Sequence, residues 1–352
     1  QGVRPWLFLL PALLALGLYL AYPVVETMRL SLTERVPGGG SEFVGLENYK
    51  QMLAEAKFWE ALQNNFLWLL VVPAASTAFG LLAAQLTDRL AWGNIAKSLI
   101  FMPMAISFVG AAVIWKLVYD ARPPGTEQIG ILNAVYIWLG GVEPQQWLTI
   151  PFWNNFFLMM VLVWIQTGFA MVILSAALRG IPEETVEAAI VDGAGPFQIF
   201  FKIKVPQIMG TIVVVWTTIT IVVLKVFDIV YTMTGGNFGT EILPSYMMSY
   251  MFRDDGRATA VAFVIMIVVS MMNRQLPQTL SRELASATPT NMRIHFKGFF
   301  PIALITLILV TPSVRYKLIQ FVRFRFHYIC HLFEEETSFI YSICFNRTYS
   351  TV

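Results

Sequence analysis

Long apolar runs recur along this chain, and they constrain its fold more than any other feature of the sequence. A run of about 20 apolar residues can cross the hydrocarbon core of a bilayer as one α-helix. The bilayer core offers the backbone no water, so a spanning segment must pair its own N–H and C=O groups, as a helix does. The runs therefore predict six membrane-spanning helices, over residues 6–32, 61–86, 96–119, 152–178, 207–228 and 258–272.

The composition agrees with a membrane protein and excludes several other classes. Apolar residues make up 57% of the chain, charged residues 13%, and the mean hydropathy is +0.63, which excludes an ordinary soluble domain. A net charge of +2 without a basic cluster gives no indication of nucleic-acid binding. The predicted spans hold no Cys or His, so we expect neither a metal site nor catalytic residues. These residue types all lie in the C-terminal part, as Cys330, Cys344, His295, His327 and His331.

A polar segment with helical patterning on both sides of a glycine separates the fourth and fifth runs, at residues 182–206. Pro182 suits the first position of a helix. The glutamates that follow place negative charge near the positive end of the helix dipole, which stabilises the helix. The helix should break near Gly193, which tolerates a positive φ, and restart at Pro196. We predict that Pro206 ends the second helix, which would lie on the membrane surface. Its apolar stripe comprises Phe197, Phe200, Phe201 and Ile203.

The same segment resembles the EAA loop of binding-protein-dependent ABC importers. The match comprises Glu187-Ala188-Ala189, then Gly193, then Ile203-Lys204-Val205-Pro206, with valine at 205 where leucine is usual. The resemblance implies that the loop is cytoplasmic, lodges in a cleft of an ATP-hydrolysing subunit and carries its motion to the membrane helices. It assigns this coupling role to Glu187, Ala188, Ala189, Asp192, Gly193, Ala194, Ile203 and Pro206. The alternative is an ordinary amphipathic loop between two spans.

Several other stretches are similar to the carbohydrate branch of these permeases, and to its α-glucoside type in particular. They include RPWLFLLPALLALGLYLAYPVV, FMPMAISFVGAAVIWKLVYD and KVFDIVYTMTGG. The likeness implies an all-α integral membrane protein with the six-helix ABC importer permease fold, in the bacterial inner membrane. It also implies three kinds of partner, namely a second related permease, two copies of an ATPase subunit and a periplasmic sugar-binding protein. The implied function is ATP-driven import of a sugar, an α-glucoside or oligosaccharide, by alternating access.

The chain contains no G-x-x-x-x-G-K-[ST] motif, so it does not cradle nucleotide phosphates as a P-loop does. The resemblance assigns ATP and Mg²⁺ to the partner ATPase and no cofactor to this chain. The main alternative function is an ABC importer permease for a non-sugar solute such as glycerol phosphate. A phosphate would favour a deeply placed Arg or Lys, and Lys225 is the candidate for that role.

One face of the fourth predicted span is the candidate substrate path. Its residues recur at helical spacing, as Leu162, Ile165, Gln166 and Phe169. Maltose-type permeases line their sugar cavity at the corresponding distance before the EAA motif, so the resemblance points to this face. Amides and aromatic faces suit a hydroxyl-rich ligand, as Gln166 and Phe169 would provide, whereas the other two are apolar. The alternative for Gln166 is a hydrogen bond to a neighbouring helix.

Lys225 and Asp228 are the charged pair of the fifth predicted span. Their spacing of three predicts that both lie on one helix face near its outer end. One interpretation is a pair that reaches the membrane interface, where charges cost little. The other is a polar mouth through which sugar passes from the binding protein.

The sequence divides into four parts by composition. These are a first spanning helix at 1–32, a periplasmic loop at 33–60, a permease core at 61–272 and an atypical tail at 273–352. The missing initial Met predicts that the chain extends before Gln1. The tail allows three interpretations, namely a seventh span at 298–314, an interfacial segment rich in Phe and Arg, or sequence read in a changed coding frame from near Met272. We favour the last.

Overall fold

The computed structural model describes the backbone of residues 4–36 and 40–286, and the side chains of residues 9–36 and 40–270. Within these residues the chain is helical apart from one short hairpin, as the apolar runs predict. The three interpretations of the tail concern residues that mostly follow Ser286, and those residues lie outside the described part. Residues 298–314, the predicted seventh span, lie there too.

Fifteen α-helices follow one another along the described chain. In order they are α1 (Arg4–Leu16), α2 (Tyr22–Leu30), α3 (Glu47–Ala54), α4 (Ala56–Thr87), α5 (Gly93–Phe101), α6 (Phe108–Val118), α7 (Ile131–Trp138), α8 (Trp153–Arg179), α9 (Glu183–Val191), α10 (Pro196–Gln198), α11 (Val205–Gln207), α12 (Met209–Leu224), α13 (Asp228–Met233), α14 (Leu243–Tyr250) and α15 (Asp255–Ser286). A π-helical segment at Gly17–Ala21 joins α1 to α2, and another at Ile199–Lys204 joins α10 to α11. Short 3₁₀ turns lie at Met102–Ala105 and Trp147–Thr149.

Three of these helical segments are long and apolar enough to cross a membrane, namely Leu9–Leu30, Ala56–Thr87 and Trp153–Arg179. They correspond to the first, second and fourth predicted spans. Two bent helix pairs raise the number to five among the described residues if each pair is one span. The sixth span stays a prediction, although its residues lie within α15, which continues past Met272 to Ser286.

The third predicted span is broken near its middle. Helix α5 ends in the 3₁₀ turn that contains Pro103, and α6 begins at Phe108 after a bend of 104°. The sequence predicts a kink here from Pro103, because proline lacks the N–H that continues a helix. Ser107 caps the new helix, since its side-chain oxygen accepts a hydrogen bond from the Gly110 N–H at 3.1 Å.

Helix α8 is the centre of the main hydrophobic core. Its side chains pack with those of α4, α6 and α12, and most of its length is buried. Two glycines allow close approach to its neighbours. A Cβ atom on Gly80 of α4 would collide with Ala170 of α8, and one on Gly168 would lie 2.6 Å from the Ile100 carbonyl oxygen of α5. Small residues at such crossings let membrane helices pack backbone against backbone.

The polar segment after the first span contains a short hairpin and a short helix. Residues Thr33–Arg35 and Ser41–Phe43 form an antiparallel hairpin, in which Thr33 pairs with Phe43 and Arg35 with Ser41. Helix α3 follows, and α4 begins at Ala56, five residues before the predicted start of the core at residue 61. The Asn48 amide holds this arrangement, because it donates to the carbonyls of Ser31 at 3.0 Å and Thr33 at 2.9 Å.

The prediction that Lys225 and Asp228 share one helix face is wrong. Helix α12 ends at Leu224, Lys225 is the residue after it, and Asp228 begins α13. The backbone leaves the helical path here as Val226 turns into the core, where its side chain is buried. The two charged residues therefore lie on different helices, with Lys225 exposed and Asp228 half-buried.

Candidate functional site

The segment at 182–206 forms two short helices joined at a glycine, as its sequence predicts. Helix α9 begins at Glu183 with Pro182 as its capping residue, one position from the expected register. It ends in a Schellman motif, in which the Gly193 N–H donates to the Ile190 carbonyl and the Ala194 N–H to the Ala189 carbonyl, each at 2.9 Å. Gly193 has φ +79°, a left-handed conformation that favours glycine.

The second half of the loop is a single helical stretch with an irregular centre. It starts at Pro196, runs through the π-helical segment at Ile199–Lys204 and ends at Gln207, one residue after the predicted end at Pro206. At Ile208 the chain then bends by 70° into α12. Gln198 stabilises the start of this stretch, because its side-chain oxygen accepts a hydrogen bond from the Gly195 N–H at 3.3 Å.

The loop presents apolar side chains on its outer surface. Four large ones are exposed, which are Ile190, Val191, Phe197 and Phe201. The predicted apolar stripe is therefore divided, since Phe197 and Phe201 point outward while Ile199 is buried instead. The predicted coupling residues also fall into groups, with Glu187, Ala188, Asp192 and Gly193 exposed, Ala194, Ile203 and Pro206 half-buried and Ala189 buried. An exposed apolar patch of this kind is typical of a protein interaction surface.

An acidic side chain connects the ends of α4 and α8 to the middle of α5, beside the start of this loop. Asp88, which follows the last residue of α4, is ion-paired with Lys97 of α5 and with Arg179 of α8. The Arg179 guanidinium donates from Nε at 3.0 Å and from an Nη atom at 2.9 Å. The Ser175 hydroxyl donates to the same carboxylate at 3.1 Å and accepts from Lys97 at 2.6 Å.

The environment of Asp88 favours its charged form. Burial would raise the pKa of this carboxyl, but hydrogen bonds from Lys97, Arg179 and Ser175 together hold the pKa below its usual value. Neither Asp88 nor its partners Lys97, Ser175 and Arg179 are among the residues selected from the sequence. The sole sequence signal was a lone acidic residue directly after the second predicted span.

A cavity of about 370 Å³ lies where the broken third span meets α8 and α12. Met104, Ile106, Ser107 and Phe108 line it from the break, Ile165, Gln166 and Phe169 from α8, and Thr218 and Val222 from α12. The cavity thus gathers three of the four residues predicted on α8. Leu162 is fully buried in the core and does not line it. Lys225 and Asp228 are absent from its wall as well.

The polar groups of the cavity are available to a ligand. Among the described residues none hydrogen-bonds to the side-chain amide of Gln166, although this residue is only 6% exposed. The Ser107 oxygen already accepts a bond from Gly110, so its hydroxyl proton is left to donate. The Thr218 hydroxyl donates to the Val214 carbonyl at 2.8 Å, so its lone pairs are left to accept. The cavity therefore offers donors, acceptors and the aromatic rings of Phe108 and Phe169.

The loop between α13 and α14 lies at the start of α8, opposite the end that leads into the 182–206 loop. Several hydrogen bonds hold its backbone. Four of its residues have positive φ, namely Gly235, Gly236, Phe238 and Gly239. Side-chain amides bind its carbonyl groups. Asn154 donates to the Phe238 carbonyl at 2.5 Å, Asn155 to the Gly239 carbonyl at 3.0 Å, and Asn64 to the Gly239 and Glu241 carbonyls at 3.0 and 2.8 Å.

The same loop buries a carboxylate. The Glu241 side chain is 2% exposed and pairs with Lys57 of α4 at 2.9 Å. Gly236 has φ +76°, and a Cβ atom there would lie 2.5 Å from a Glu241 carboxylate oxygen, so a larger residue would be strained and would displace this side chain. Within the part of the chain that the structure describes, no group of three His, Cys, Asp or Glu side chains is arranged to hold a metal ion.

Comparisons with known proteins give a consistent result. The family model described as "Binding-protein-dependent transport system inner membrane component" matches residues 76–276. The chain is 67% identical to the α-glucoside transport system permease protein AglF of Rhizobium meliloti (strain 1021), over 76% of this chain and 80% of that protein. It is 48% identical to the osmoprotective compounds uptake permease protein GgtC of Synechocystis sp., over 75% and 94% of the two chains.

One solved structure has the same fold. It is the bacterial alginate ABC transporter in complex with an alginate pentasaccharide-bound periplasmic protein, with a TM-score of 0.66 at 19% identity. The likeness covers 82% of this chain and 97% of the matched chain. At 19% identity this comparison supports the fold alone.

Proposed function

This chain belongs to the family of binding-protein-dependent transport system inner membrane components, and from that premise we propose that it is the permease subunit of an ATP-driven sugar importer. The observation that carries the proposal is the 67% identity to an α-glucoside permease over 272 residues. We propose an α-glucoside or a related oligosaccharide as the solute. Glycerol phosphate is not favoured, because no Lys or Arg among the described side chains lines the cavity.

We propose that the sugar passes through the cavity between the broken third span, α8 and α12. Its volume of about 370 Å³ falls within the usual range for small-molecule sites, roughly 300–1,000 Å³. Its unpaired Gln166 amide, the free donor of Ser107 and the free acceptor sites of Thr218 suit a ligand whose hydroxyl groups both donate and accept. The rings of Phe108 and Phe169 offer apolar faces to the C–H surfaces of a sugar. Gln166 lies about 20 Å along α8 from Arg179, at 1.5 Å per residue, which is near the middle of a bilayer.

We propose that the 182–206 loop faces the cytoplasm and docks on a separate ATPase subunit, which binds ATP and Mg²⁺. The four exposed apolar side chains of the loop support this role, because they would be buried in such a contact. In the proposed cycle, ATP binding closes two ATPase subunits and moves the loop inward. The spans then open the cavity outward to receive sugar, and hydrolysis reverses the motion.

We propose two further partners, a second related permease and a periplasmic binding protein that delivers the sugar. The loop that carries Gly235, Gly236 and Gly239 lies at the end of α8 away from the 182–206 loop, which would place it on the periplasmic side. The solved alginate transporter was determined with a sugar-loaded periplasmic protein, which supports a partner of this class.

Uptake by the assembled complex tests this function. Proteoliposomes that contain the permease pair and the ATPase subunits would be given ATP inside and loaded binding protein outside. We expect maltose or trehalose to compete with the uptake of a radiolabelled α-glucoside, and glycerol phosphate to have no effect. ATP-dependent uptake of radiolabelled glycerol phosphate without any uptake of the α-glucoside would contradict the proposal.

A further inference from the structure

The contacts of Asp88 connect three helices near the 182–206 loop. We propose that Asp88 is a positioning residue that keeps α4, α5 and α8 moving as one body, so that displacement of the 182–206 loop reaches the wall of the cavity. This inference rests on the importer function proposed above. Asp88 touches neither the cavity nor the exposed surface of the loop, so its role would be indirect.

The bonds at Asp88 connect three helices and are partly shielded from water. The side chains of Asp88 and Lys97 are 20% and 14% exposed, so water screens their attraction only in part. Arg179 is 60% exposed and contributes mainly through its two hydrogen bonds to the carboxylate. Without the carboxylate, Lys97 and Arg179 would be two like charges beside one serine, and the middle of α5 and the end of α8 would repel each other.

The connection from this cluster to the loop is short and buried. Arg179 is the last residue of α8, and α9 begins at Glu183. Ile181 lies between them and packs in the main core together with Leu178. Val186 of α9 packs against the same core. A displacement of α9 would therefore be passed to the end of α8, because only three residues link the two helices and both ends of the link pack in the same core.

The connection from the cluster to the cavity runs along two helices. Lys97 lies on α5, which leads directly into Met104 and the broken span that lines the cavity. Ser175 lies on α8 beyond Phe169, another lining residue. Between these points Gly168 packs against the backbone of Ile100 and Phe101, so α5 and α8 are also in close contact there. Asp88 adds a second link between α5 and α8, near the end of α8 where the movement would enter.

Coupling in the reconstituted complex tests the proposal. For Asp88→Asn we expect sugar uptake to fall about tenfold and ATP hydrolysis less than about twofold, so that more ATP is spent per sugar. Asp88→Glu, which keeps the charge, should restore most of the uptake. Lys97→Met should uncouple in the same direction, since it removes the α5 arm alone. The matched control is Glu47→Gln, which breaks the exposed pair with Lys50 and should change neither rate.

Two results of that experiment would overturn the proposal. One is an unchanged ratio of ATP hydrolysed to sugar transported in both Asp88→Asn and Lys97→Met. The other is a parallel loss of both rates, with the ATPase subunits no longer co-purifying, which would make Asp88 an assembly residue. A wild-type complex that hydrolyses ATP but takes up no sugar would instead contradict the importer function.

A distance measurement tests the proposed role of Asp88 in the absence of sugar. Asn94 of α5 and Ala176 of α8 are exposed and can carry spin labels as Asn94→Cys and Ala176→Cys, with Cys330 and Cys344 replaced by serine. With Asp88 present, the distance between the labels should stay narrow and constant when ATP is added to the complex. With Asp88→Asn, it should broaden or shift. Identical distributions in both proteins would refute the role of Asp88.

Discussion

Gly168 of α8 lies so close to Ile100 of α5 that a Cβ atom on the glycine would be 2.6 Å from the Ile100 carbonyl oxygen and 2.9 Å from the Phe101 Cα atom. Both obstacles are backbone atoms, so they cannot move aside as a flexible side chain would. The contact fixes α8 against the helix that leads into the broken third span. The helix crossing beside the cavity therefore depends on the absence of one side chain.

Gly168→Ala should lower stability and uptake together. Overpacking of this kind costs typically about 1–3 kcal/mol, which we expect to see as a lower melting temperature of the purified complex in detergent. The matched control is Gly210→Ala on α12, where a new Cβ atom meets nothing within 4 Å. Equal melting temperatures for the two variants would show that α5 and α8 can separate without cost.

Gln166→Leu should reduce sugar uptake while the ATPase subunits remain attached. Loss of a neutral hydrogen bond costs about 0.5–1.5 kcal/mol, which corresponds to a reduction of several-fold. The measurement is the initial rate of uptake against sugar concentration. Leu162→Met, one helical turn away in the packed core, should leave uptake near the wild-type rate. If Gln166→Leu instead prevents assembly, Gln166 is a packing residue.

Gly193→Val should abolish uptake without preventing membrane insertion. Gly193 holds φ at +79°, which a β-branched residue adopts only with strain, so the Schellman motif at the end of α9 would be lost. We expect the ATPase to co-purify poorly with this variant. Gly195→Ala is the control, because Gly195 has φ −70° and open space around it. Normal uptake by Gly193→Val at equal expression would contradict a docking role for the bend.

Glu187→Arg tests the charge of the same loop. Glu187 is exposed on α9, and we propose that it faces basic groups of the ATPase, so a reversed charge should weaken the contact. The readout is the amount of ATPase retained on the permease as salt is raised, since ionic contacts weaken with screening. Glu183→Arg, on the first turn of the same helix, is the comparison variant. Equal retention for wild type and Glu187→Arg would argue against this contact.

Acid should destabilise the end of the bundle that contains Glu55. Burial would raise the pKa of Glu55, but hydrogen bonds from Tyr246 and Tyr250 and the neighbouring Arg257 hold the pKa below the ordinary 4.5. A lowered pKa in the folded state means that the stabilisation is present above pH 4.5 and is lost as the pH falls through the lowered pKa. The melting temperature of the wild type should therefore fall more steeply below pH 4.5 than that of Glu55→Gln. Glu47→Gln, which alters an exposed pair, should behave as the wild type does.

Local features of the sequence predicted the three long helical segments and the two short helices joined at a glycine in the 182–206 loop. The apolar runs predicted the long helical segments, because the length of an apolar run indicates whether a helix can cross a bilayer. The bend at Gly193 and the break after Pro103 followed from backbone preferences of single residues. These properties do not depend on the rest of the fold, so they can be read from a short window.

The features that were missed depend on contacts between distant residues. Asp88 meets Arg179 across 91 positions of the chain, and no local pattern records that meeting. Leu162 shares a helix face with Gln166 but lies one turn away, where α8 packs in the core rather than against the cavity. Lys225 and Asp228 have helical spacing, yet α12 ends at Leu224 and a separate helix begins at Asp228. The periodicity of a sequence indicates which residues share a helix face. How deeply each residue is buried, and where the helix ends, depend on tertiary packing.

Three asparagine side-chain amides near the start of α8 affect the free energy of partner binding. Asn64, Asn154 and Asn155 hold the loop at residues 238–241 in place in the free chain. Most of the conformational entropy of that backbone is therefore lost during folding, when the cost is shared by the whole domain. A protein that docks on this surface meets a pre-organised loop, so its association loses little further entropy.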